Sequence, residues 1–208
     1  MLDRREIADG VHVLAFQRDF DFRPGQIVGL SSGDPMPFRW YSIASGTEDE
    51  RIEVVFDVVA EGALTPLLAR AEAGDTLLVT GPRGEFAETG TDGLWIATGT
   101  GIAPFRSMTR SGLGKRKILV HGARGRADFL FSGEFAASLG ERYVRCASRE
   151  EGPDLYPGRL SAWLRERENL DADHRYLLCG GADMVVDVRD ILISRGVPWS
   201  NVLSEIYF

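Results

Sequence analysis

The chain has 208 residues, of which 44% are hydrophobic and 26% are charged, and its formal net charge is -7. This length supplies apolar material for one large domain or two small ones. Because phosphate binding needs a basic face, the acidic total excludes nucleic acid as the expected main partner.

Two cysteines, Cys146 and Cys179, are too few for a disulfide framework or a four-thiolate iron–sulfur site. The first residues, MLDRREIADG, contain no apolar signal core, and no apolar run has membrane-spanning length. His12, His121 and His174 are scattered without the spacing of metal ligands, so we predict no metal site. We therefore expect a cytoplasmic monomer that does not associate with membranes.

The first half of the chain has the pattern of short strands. The runs VHVLAF (11–16) and RIEVVFDVV (51–59) are rich in β-branched and aromatic residues, and GQIVGL and RWYSIA are two further candidates. Their short spacing predicts an all-β antiparallel barrel. One helix interrupts it, with Thr65 as the predicted N-cap, Pro66 at the first helical position and Gly74 at the end.

After GPRGEF (81–86) the pattern changes to alternating strands and helices. The apolar runs are LWIAT, KILVHG, RYVRCAS, RYLLCGG and VLSEIYF, and the helical stretches between them are APFRSMTR, FSGEFAASL, GRLSAWLRERE and ADMVVDVRDILISRG. This alternation predicts an α/β doubly wound parallel sheet with helices on both faces. We predict a β-barrel domain over 1–90 and an α/β domain over 91–208. Ligands are expected at the carboxyl ends of the parallel strands and between the domains.

One motif with chemical meaning is the glycine turn in LWIATGTGIAPF (94–105). Gly99 and Gly101 permit backbone torsions closed to other residues and expose N–H groups, and Pro104 suits a first helical turn. A pyrophosphate fits at such a helix start. The third glycine of the dinucleotide fingerprint is missing, so a purely structural turn stays open as an alternative.

A second motif is RWYSIAS (39–45), on a predicted strand of the barrel half. Alternation directs Arg39 and Tyr41 to one face, and Trp40 and Ser42 to the other. An arginine can hold a phosphate, and a tyrosine can stack on a flat ring. Taken alone, the string also fits an ordinary amphipathic strand.

Together, Arg-x-Tyr-Ser in a barrel followed by Gly-Thr-Gly-x-x-Pro at the start of an α/β domain resembles the ferredoxin–NADP reductase family of flavoproteins, over nearly the whole chain. The resemblance implies bound FAD, with the arginine on its pyrophosphate, the tyrosine on one face of the isoalloxazine and the serine near N5. GALT resembles the family's second flavin motif. The implied flavin residues are Arg39, Trp40, Tyr41, Ser42, Gly62, Ala63, Leu64 and Thr65. Because the barrel half is short, FMN stays open as an alternative.

The resemblance also implies an NADP site in the second half. The residues implied at the pyrophosphate turn are Thr98, Gly99, Thr100, Gly101 and Pro104, and those at the 2′-phosphate and adenosine are Arg124, Ser148, Arg149 and Arg159. A single arginine is usually a solvated surface charge, but three at successive strand ends favour a phosphate site. An NAD enzyme would be expected to carry a ribose-binding acid instead. We therefore predict NADP(H).

Two further segments complete the resemblance. LLCGGADM resembles the family's Cys-Gly turn near the nicotinamide, which implies Cys179, Gly180, Gly181 and Met184 as contacts. In the terminal EIYF, Glu205 is the candidate for tuning charge or proton traffic at the flavin edge. Tyr207 is implied to stack on the second flavin face, and Phe208 is expected near the adenosine end of FAD. The predicted catalytic residues are Ser42, Cys179 and Glu205, and Cys146 is assigned to core packing.

The family reaction implied here transfers hydride between NADP(H) and FAD, and single electrons between FAD and a ferredoxin or flavodoxin. These partners are typically acidic, so docking needs a local basic surface. Candidates for that surface are Arg4, Arg5, Arg18 and Arg23, and a dispersed arrangement of these four stays open as an alternative. Two other functions stay open: a reductase component of an oxygenase or other electron-transfer complex, and a non-catalytic nucleotide-binding regulator.

Overall fold

The computed structural model describes residues 3–72, 74–87 and 90–207. The chain divides into two compact units, one comprising Met1–Ala87 with Ala103–Ser111 and the other Glu88–Ile102 with Gly112–Phe208. The sequence-based boundary at residue 90 placed the whole of 91–208 in the second domain. The helix in 103–111, however, makes its contacts with the first unit.

The described part of the first unit contains six antiparallel strands. They are β1 (Asp3–Ala8), β2 (Val11–Gln17), β3 (Ile27–Ser31), β4 (Arg39–Ser42), β5 (Arg51–Asp57) and β6 (Leu78–Val79). They form sheets of order β1-β2-β5 and β4-β3-β6, and a bridge between Ile43 and Val54 connects the end of β4 to β5. Leu14, Val28 and Val54 belong to one buried core shared by both sheets. The predicted all-β antiparallel half is confirmed.

The predicted helix of this half is much shorter than expected. It is a single turn, α1 (Thr65–Leu68), and Thr65 is its first residue; the N-cap position falls on Leu64, which makes no capping side-chain bond. The Thr65 hydroxyl instead accepts the backbone N–H of Val59 at 3.0 Å. Leu68 is the only buried residue of α1, so packing supports one turn and no more. The predictions of Thr65 as N-cap and of a helix reaching Gly74 were therefore wrong.

Helix α2 (Ala103–Arg110) packs in the first unit, and Ala103 to Met108 are all buried. Arg106 is 3% exposed and forms an ion pair with Glu53 of β5. At the end of the helix, Arg110 donates two hydrogen bonds to Asp49, at 2.8 and 2.9 Å. These two ion pairs hold α2 against the antiparallel strands.

The second unit is a six-stranded parallel sheet. Its strands are β7 (Gly93–Thr98), β8 (Lys117–Ala123), β9 (Tyr143–Ala147), β10 (Tyr156–Pro157), β11 (Arg175–Gly181) and β12 (Val202–Tyr207), in the order β10-β9-β8-β7-β11-β12. The chain builds outward from β7 through β10 and then restarts on the other side with β11. The order therefore reverses at β7, which is where open α/β sheets bind ligands.

Helices cover both faces of this sheet. Helices α4 (Leu160–Arg165) and α5 (Ala182–Ser194) share one apolar core with β7, β8 and β11. Helix α3 (Ser132–Leu139) lies on the other face, where Phe135 packs on Tyr143 with ring centroids 5.5 Å apart. The predicted doubly wound α/β half is confirmed. No helix in the described residues is long and apolar enough to cross a bilayer.

Candidate functional site

The two glycine turns predicted from the sequence interlock at the carboxyl ends of β7 and β11. A Cβ atom at Gly101 would lie 2.4 Å from the carbonyl oxygen of Cys179, and one at Gly180 would lie 2.4 Å from Thr98 Oγ1. Only glycine permits this approach, and Gly180 also has a φ of +153°. Gly99 has a φ of +55°, and a Cβ there would meet nothing within 4 Å. The turn after β7 is therefore fixed on one side and open on the other, as a bound phosphate requires.

The predicted catalytic cysteine lies on the strand next to the two implied C-terminal residues. Cys179 is fully buried, and its Cα pairs with that of Glu205 across β11 and β12, while Gly181 pairs with Tyr207. Burial and the Glu205 carboxylate raise the pKa of the Cys179 thiol well above its usual value, against a hydrogen bond from Tyr207. The thiol is therefore protonated at neutral pH. Phe208 lies outside the described residues.

Of the other implied residues, Met184 and Thr100 belong to the second unit, and Pro104 belongs to the first. Met184 follows in the first turn of α5, and its Cε would be 2.8 Å from a Cβ at Gly180. Thr100 is in the turn after β7, and Pro104 is the second residue of α2. Within the second unit, the structure thus brings the glycine turn, the Cys-Gly turn and the end of β12 to neighbouring strand ends.

The predicted 2′-phosphate residues also meet at strand ends. The backbone N–H of Ser148 donates to Ala123 at 3.0 Å, and that of Arg149 donates to Arg124 at 2.9 Å. Arg159 is the N-cap residue of α4, directly after β10. Among the described residues, no acidic group forms an ion pair with any of these three arginines. Their charges are available to a ligand.

In the first unit, the Arg-x-Tyr-Ser motif forms β4, and burial increases along it from Arg39 to Ser42. Tyr41 is half-buried, with its ring edge-on to Phe56 at 6.3 Å. Burial raises the Tyr41 pKa to about 12, and the charge of Arg39 opposes the rise. Ser42 is buried, at 2% exposure. Arginine and tyrosine are therefore close, on the same side of β4.

Trp40 lies on the opposite side of β4 and is 46% exposed. Its ring lies over Gly29 of β3, and the Arg83 guanidinium lies 5.2 Å from the ring centroid. The structure does not bring Trp40 together with Arg39 and Tyr41, so its implied cofactor contact remains a prediction.

The Gly-x-x-Thr segment closes on the end of β5. Gly62 donates its N–H to the carbonyl of Val59 at 2.8 Å, and a Cβ at Gly62 would lie 2.9 Å from that oxygen. The Thr65 hydroxyl accepts a hydrogen bond from the backbone N–H of the same residue, Val59. Within the described chain, the backbone N–H groups of Ala63 and Leu64 donate to no protein acceptor, which suits an anion.

Three of the four arginines proposed for the basic docking surface form ion pairs. Arg5 pairs with Glu53 at 2.8 Å, Arg18 with Asp21 at 2.7 Å, and Arg23 with Glu85 at 3.9 Å. The side chain of Arg4 is 3.4 Å from a ring nitrogen of His12. These four arginines do not form the unpaired cationic patch that the sequence suggested.

Sequence reasoning missed a charge network beside the arginine cluster, formed by Arg126, Glu150, Asp154 and Arg145. The available signal was the second arginine of ARGR, two residues after Arg124. Nothing in the sequence indicated which carboxylates it would bind.

A β unit with an arginine–tyrosine strand, and an α/β unit with glycine turns at its switch point, define the class of flavin- and nicotinamide-dependent oxidoreductases. A family model described as the oxidoreductase NAD-binding domain matches residues 95–190. Ferredoxin–NADP reductase B of Sorangium cellulosum is 34% identical, over 98% of this chain and 94% of that protein. The chain therefore belongs to the ferredoxin–NADP reductase family and is an oxidoreductase.

Two further proteins are similar over most of this chain. A probable dihydroorotate dehydrogenase B (NAD(+)) electron transfer subunit of Methanopyrus kandleri is 29% identical over 95% of this chain and 75% of its own length. The crystal structure of a ferredoxin NADP+ reductase from Neisseria gonorrhoeae with bound FAD and NADP superposes with a TM-score of 0.88 at 23% identity, covering 99% of this chain and 96% of that chain. That identity establishes a shared fold.

Proposed function

We propose that the protein transfers hydride between NADP(H) and FAD and single electrons between FAD and a ferredoxin or flavodoxin. The observation that carries the proposal is the grouping of Cys179, Glu205 and Tyr207 beside the glycine turns at the switch point. FAD, when bound, supplies the exchange between two-electron and one-electron chemistry. The remaining contribution of the chain is to bind, to orient and to control protons.

Residues of the first unit fit a flavin. The unpaired N–H groups of Ala63 and Leu64 and the exposed Arg39 suit a pyrophosphate. Tyr41, fixed against Phe56, offers a ring for stacking, and the buried Ser42 offers a hydroxyl near N5. FAD is favoured over FMN because the implied motifs address a pyrophosphate, which FMN lacks.

In the second unit, the chain's own groups orient the nicotinamide and control protons. The Cys179 thiol stays protonated, so it presents a neutral, polarizable surface to a nicotinamide ring. Glu205 is half-buried one strand away and is the group that would hold or pass a proton. The ring of Tyr207 would cover the flavin until the nicotinamide displaces it.

The preference for NADP rests on Arg124, Arg149 and Arg159. Each is unpaired within the described residues, and each follows a neighbouring strand of the sheet. A guanidinium binds a phosphate in a bidentate fork, so this cluster favours a cofactor with a 2′-phosphate.

The experiment is to purify the protein, record its visible spectrum and follow bleaching by NADPH and NADH. We expect a flavin spectrum, faster reduction by NADPH, and electron delivery to a ferredoxin or flavodoxin. A colourless protein that stays inert after FAD is added would refute the proposal. Arg149→Ala should weaken NADPH more than NADH, and equal losses would refute the 2′-phosphate assignment.

A second candidate is an electron-transfer component of another enzyme complex, including an oxygenase. The similarity to the Methanopyrus kandleri subunit favours it. Preference for NADH, with no transfer to ferredoxin or flavodoxin, would support this alternative. A non-catalytic nucleotide-binding regulator would bind the cofactors without any turnover with a dye acceptor.

A further inference from the structure

We infer that Arg126 is a positioning residue for nucleotide selection: it fixes the segment that presents Ser148 and Arg149 to the 2′-phosphate. The inference rests on the proposed NADP site and concerns how that site is built. Arg126 starts the short turn Arg126–Asp128, after β8 and Arg124. Its charge is directed at two acids in the segment between β9 and β10.

All three guanidinium nitrogens of Arg126 are engaged with carboxylates. Nε lies 2.8 Å from Glu150 Oε1, while Nη1 and Nη2 donate to the two oxygens of Asp154 at 2.9 and 2.6 Å. The backbone N–H of Arg126 donates to the second oxygen of Glu150 at 2.7 Å. Asp154 also accepts from Arg145 of β9, at 2.8 Å. Three of the five side-chain N–H groups of Arg126 are thus directed at carboxylates, and two acids balance its charge, so this conformation favours a positioning role over direct contact with a phosphate.

Two glycines make room for this clamp. A Cβ atom at Gly152 would lie 2.2 Å from Arg126 Nη2, and one at Gly125 would lie 2.8 Å from Glu150 Oε2. Both glycines have φ values outside the left-handed region, so their lack of a side chain serves space and not backbone torsion. The local sequence thus accommodates the Arg126 network at two separate points.

The clamp acts on the residues that would touch the phosphate. Glu150 directly follows Arg149, whose backbone is bonded to Arg124, so fixing Glu150 limits how far Arg149 can move. Directly after Asp154, Leu155 packs with Phe129 and Ala147 in a small buried cluster. The segment is therefore held by apolar packing at one end and by charges at the other.

The network is partly exposed, with side chains 24–44% accessible, so it should add little to global stability. Its main effect is expected on ligand affinity, because Arg149, once held in place, loses less conformational entropy when it binds a phosphate. Arg126 also removes the negative charge of Glu150 and Asp154 from the vicinity of a phosphate.

The test measures binding of 2′-phospho-AMP and of AMP to the FAD-loaded protein by titration calorimetry. Arg126→Ala should weaken 2′-phospho-AMP about tenfold, equal to about 1.4 kcal/mol, and leave AMP unchanged. The matched control is Arg116→Ala. Arg116 directly precedes β8 and donates two hydrogen bonds, at 2.6 and 2.7 Å, to Asp92, which directly precedes β7. Loss of this exposed ion pair should change neither affinity.

Further variants separate positioning from direct contact. If Arg126 positions Arg149, then Glu150→Gln and Asp154→Asn weaken 2′-phospho-AMP, and Arg126→Ala has little further effect in an Arg149→Ala background. If freeing Arg126 instead tightens 2′-phospho-AMP in both acid variants, Arg126 contacts the phosphate directly and the inference is overturned.

The inference and the proposed function fail in different ways. An unchanged 2′-phospho-AMP affinity in Arg126→Ala, together with a loss in Arg149→Ala, would overturn the inference and leave the NADP site standing. Equal affinities of the unaltered protein for 2′-phospho-AMP and AMP would overturn the NADP site itself. A matching loss for both ligands in Arg126→Ala would mean general damage and would also overturn the inference.

Discussion

His121 is a fully buried imidazole on β8. Its Nδ1 is 3.0 Å from the Tyr143 hydroxyl, its ring is edge-on to Phe129 at 5.1 Å, and Nε2 has no partner among the described residues. Burial lowers the pKa of His121 from 6.5 to about 3. The folded protein therefore holds a neutral imidazole over a range in which the unfolded chain takes up a proton.

This difference predicts a loss of stability in mild acid. Because the folded pKa is depressed, stability is fully present above pH 6.5 and falls as the pH drops from there towards 3. Between pH 7 and pH 5 the loss from this group is about 2 kcal/mol. His121→Gln keeps a hydrogen-bonding side chain without a titration, and should remove that part of the loss. Urea unfolding at the two pH values measures it, and identical pH dependence in both proteins would contradict the assignment.

The two cysteines differ in predicted role, but both side chains are buried. Cys146 and Cys179 are both fully buried, and burial raises the pKa of the Cys146 thiol to about 12. Reaction needs an accessible thiolate, so neither should react with a thiol reagent at pH 8 in the folded protein. Two thiols should react in guanidinium. Rapid modification of one thiol under native conditions would show that the end of β11 or β9 opens.

At the scale of elements, α2 is fixed to the antiparallel strands by one buried ion pair. Burial alone raises the pKa of Glu53, but the hydrogen bonds and charges of Arg106 and Arg5 outweigh it and hold the pKa below its usual value. This carboxylate therefore contributes stability above about pH 4.5, and the contribution is lost as the pH falls further.

Removing the arginine leaves a largely buried carboxylate with one partner. Arg106→Ala should lower the free energy of unfolding by about 3 kcal/mol. It should also flatten the decline of that free energy below pH 4.5. The control is Arg110→Ala on the same helix, whose pair with Asp49 is 37% and 27% exposed and should cost at most about 1 kcal/mol. Urea unfolding followed by circular dichroism measures both. Equal losses would mean that α2 is held by its apolar face alone.

The elements that the sequence predicted are those whose periodicity is strong. The apolar runs and the four helical stretches of the second half all appear, because each carries apolar residues that become buried. Three strands were missed for a physical reason. The charged edge strand β1 has no buried residue, and β6 and β10 have two residues each, so neither composition nor alternation marks them.

In the candidate site, the glycine turns could be predicted from the sequence, and the ion pairs could not. Glycines whose Cβ would strike a backbone, such as Gly101, mark the turns directly in sequence. No local sequence pattern specifies which side chains distant in sequence will form an ion pair. The ion pair of Arg5 with Glu53, and that of Arg126 with Asp154, depend on which strands become neighbours.

At the scale of the whole molecule, the proposed reaction requires Tyr207 to yield its place to the nicotinamide. Tyr207 ends β12 beside Gly181 and bonds the Cys179 thiol. In the proposed reaction the nicotinamide must reach that same cysteine, so ring and nicotinamide compete for one place. Binding free energy spent on displacing the tyrosine is lost from the measured affinity.

Deleting residues 207 and 208 should therefore tighten NADP+ binding by about tenfold, equal to about 1.4 kcal/mol. Difference absorption of the FAD-loaded protein follows the titration. Two controls isolate the ring. The affinity for 2′-phospho-AMP, which has no nicotinamide, should not change, and Tyr207→Phe, which keeps the ring but loses the hydrogen bond to Cys179, should leave NADP+ binding close to the original. If the deletion tightened both ligands alike, the tail would act on the arginine cluster. If it tightened neither, Tyr207 would be a packing residue of β12, and the place beside Cys179 would be open to the nicotinamide from the start.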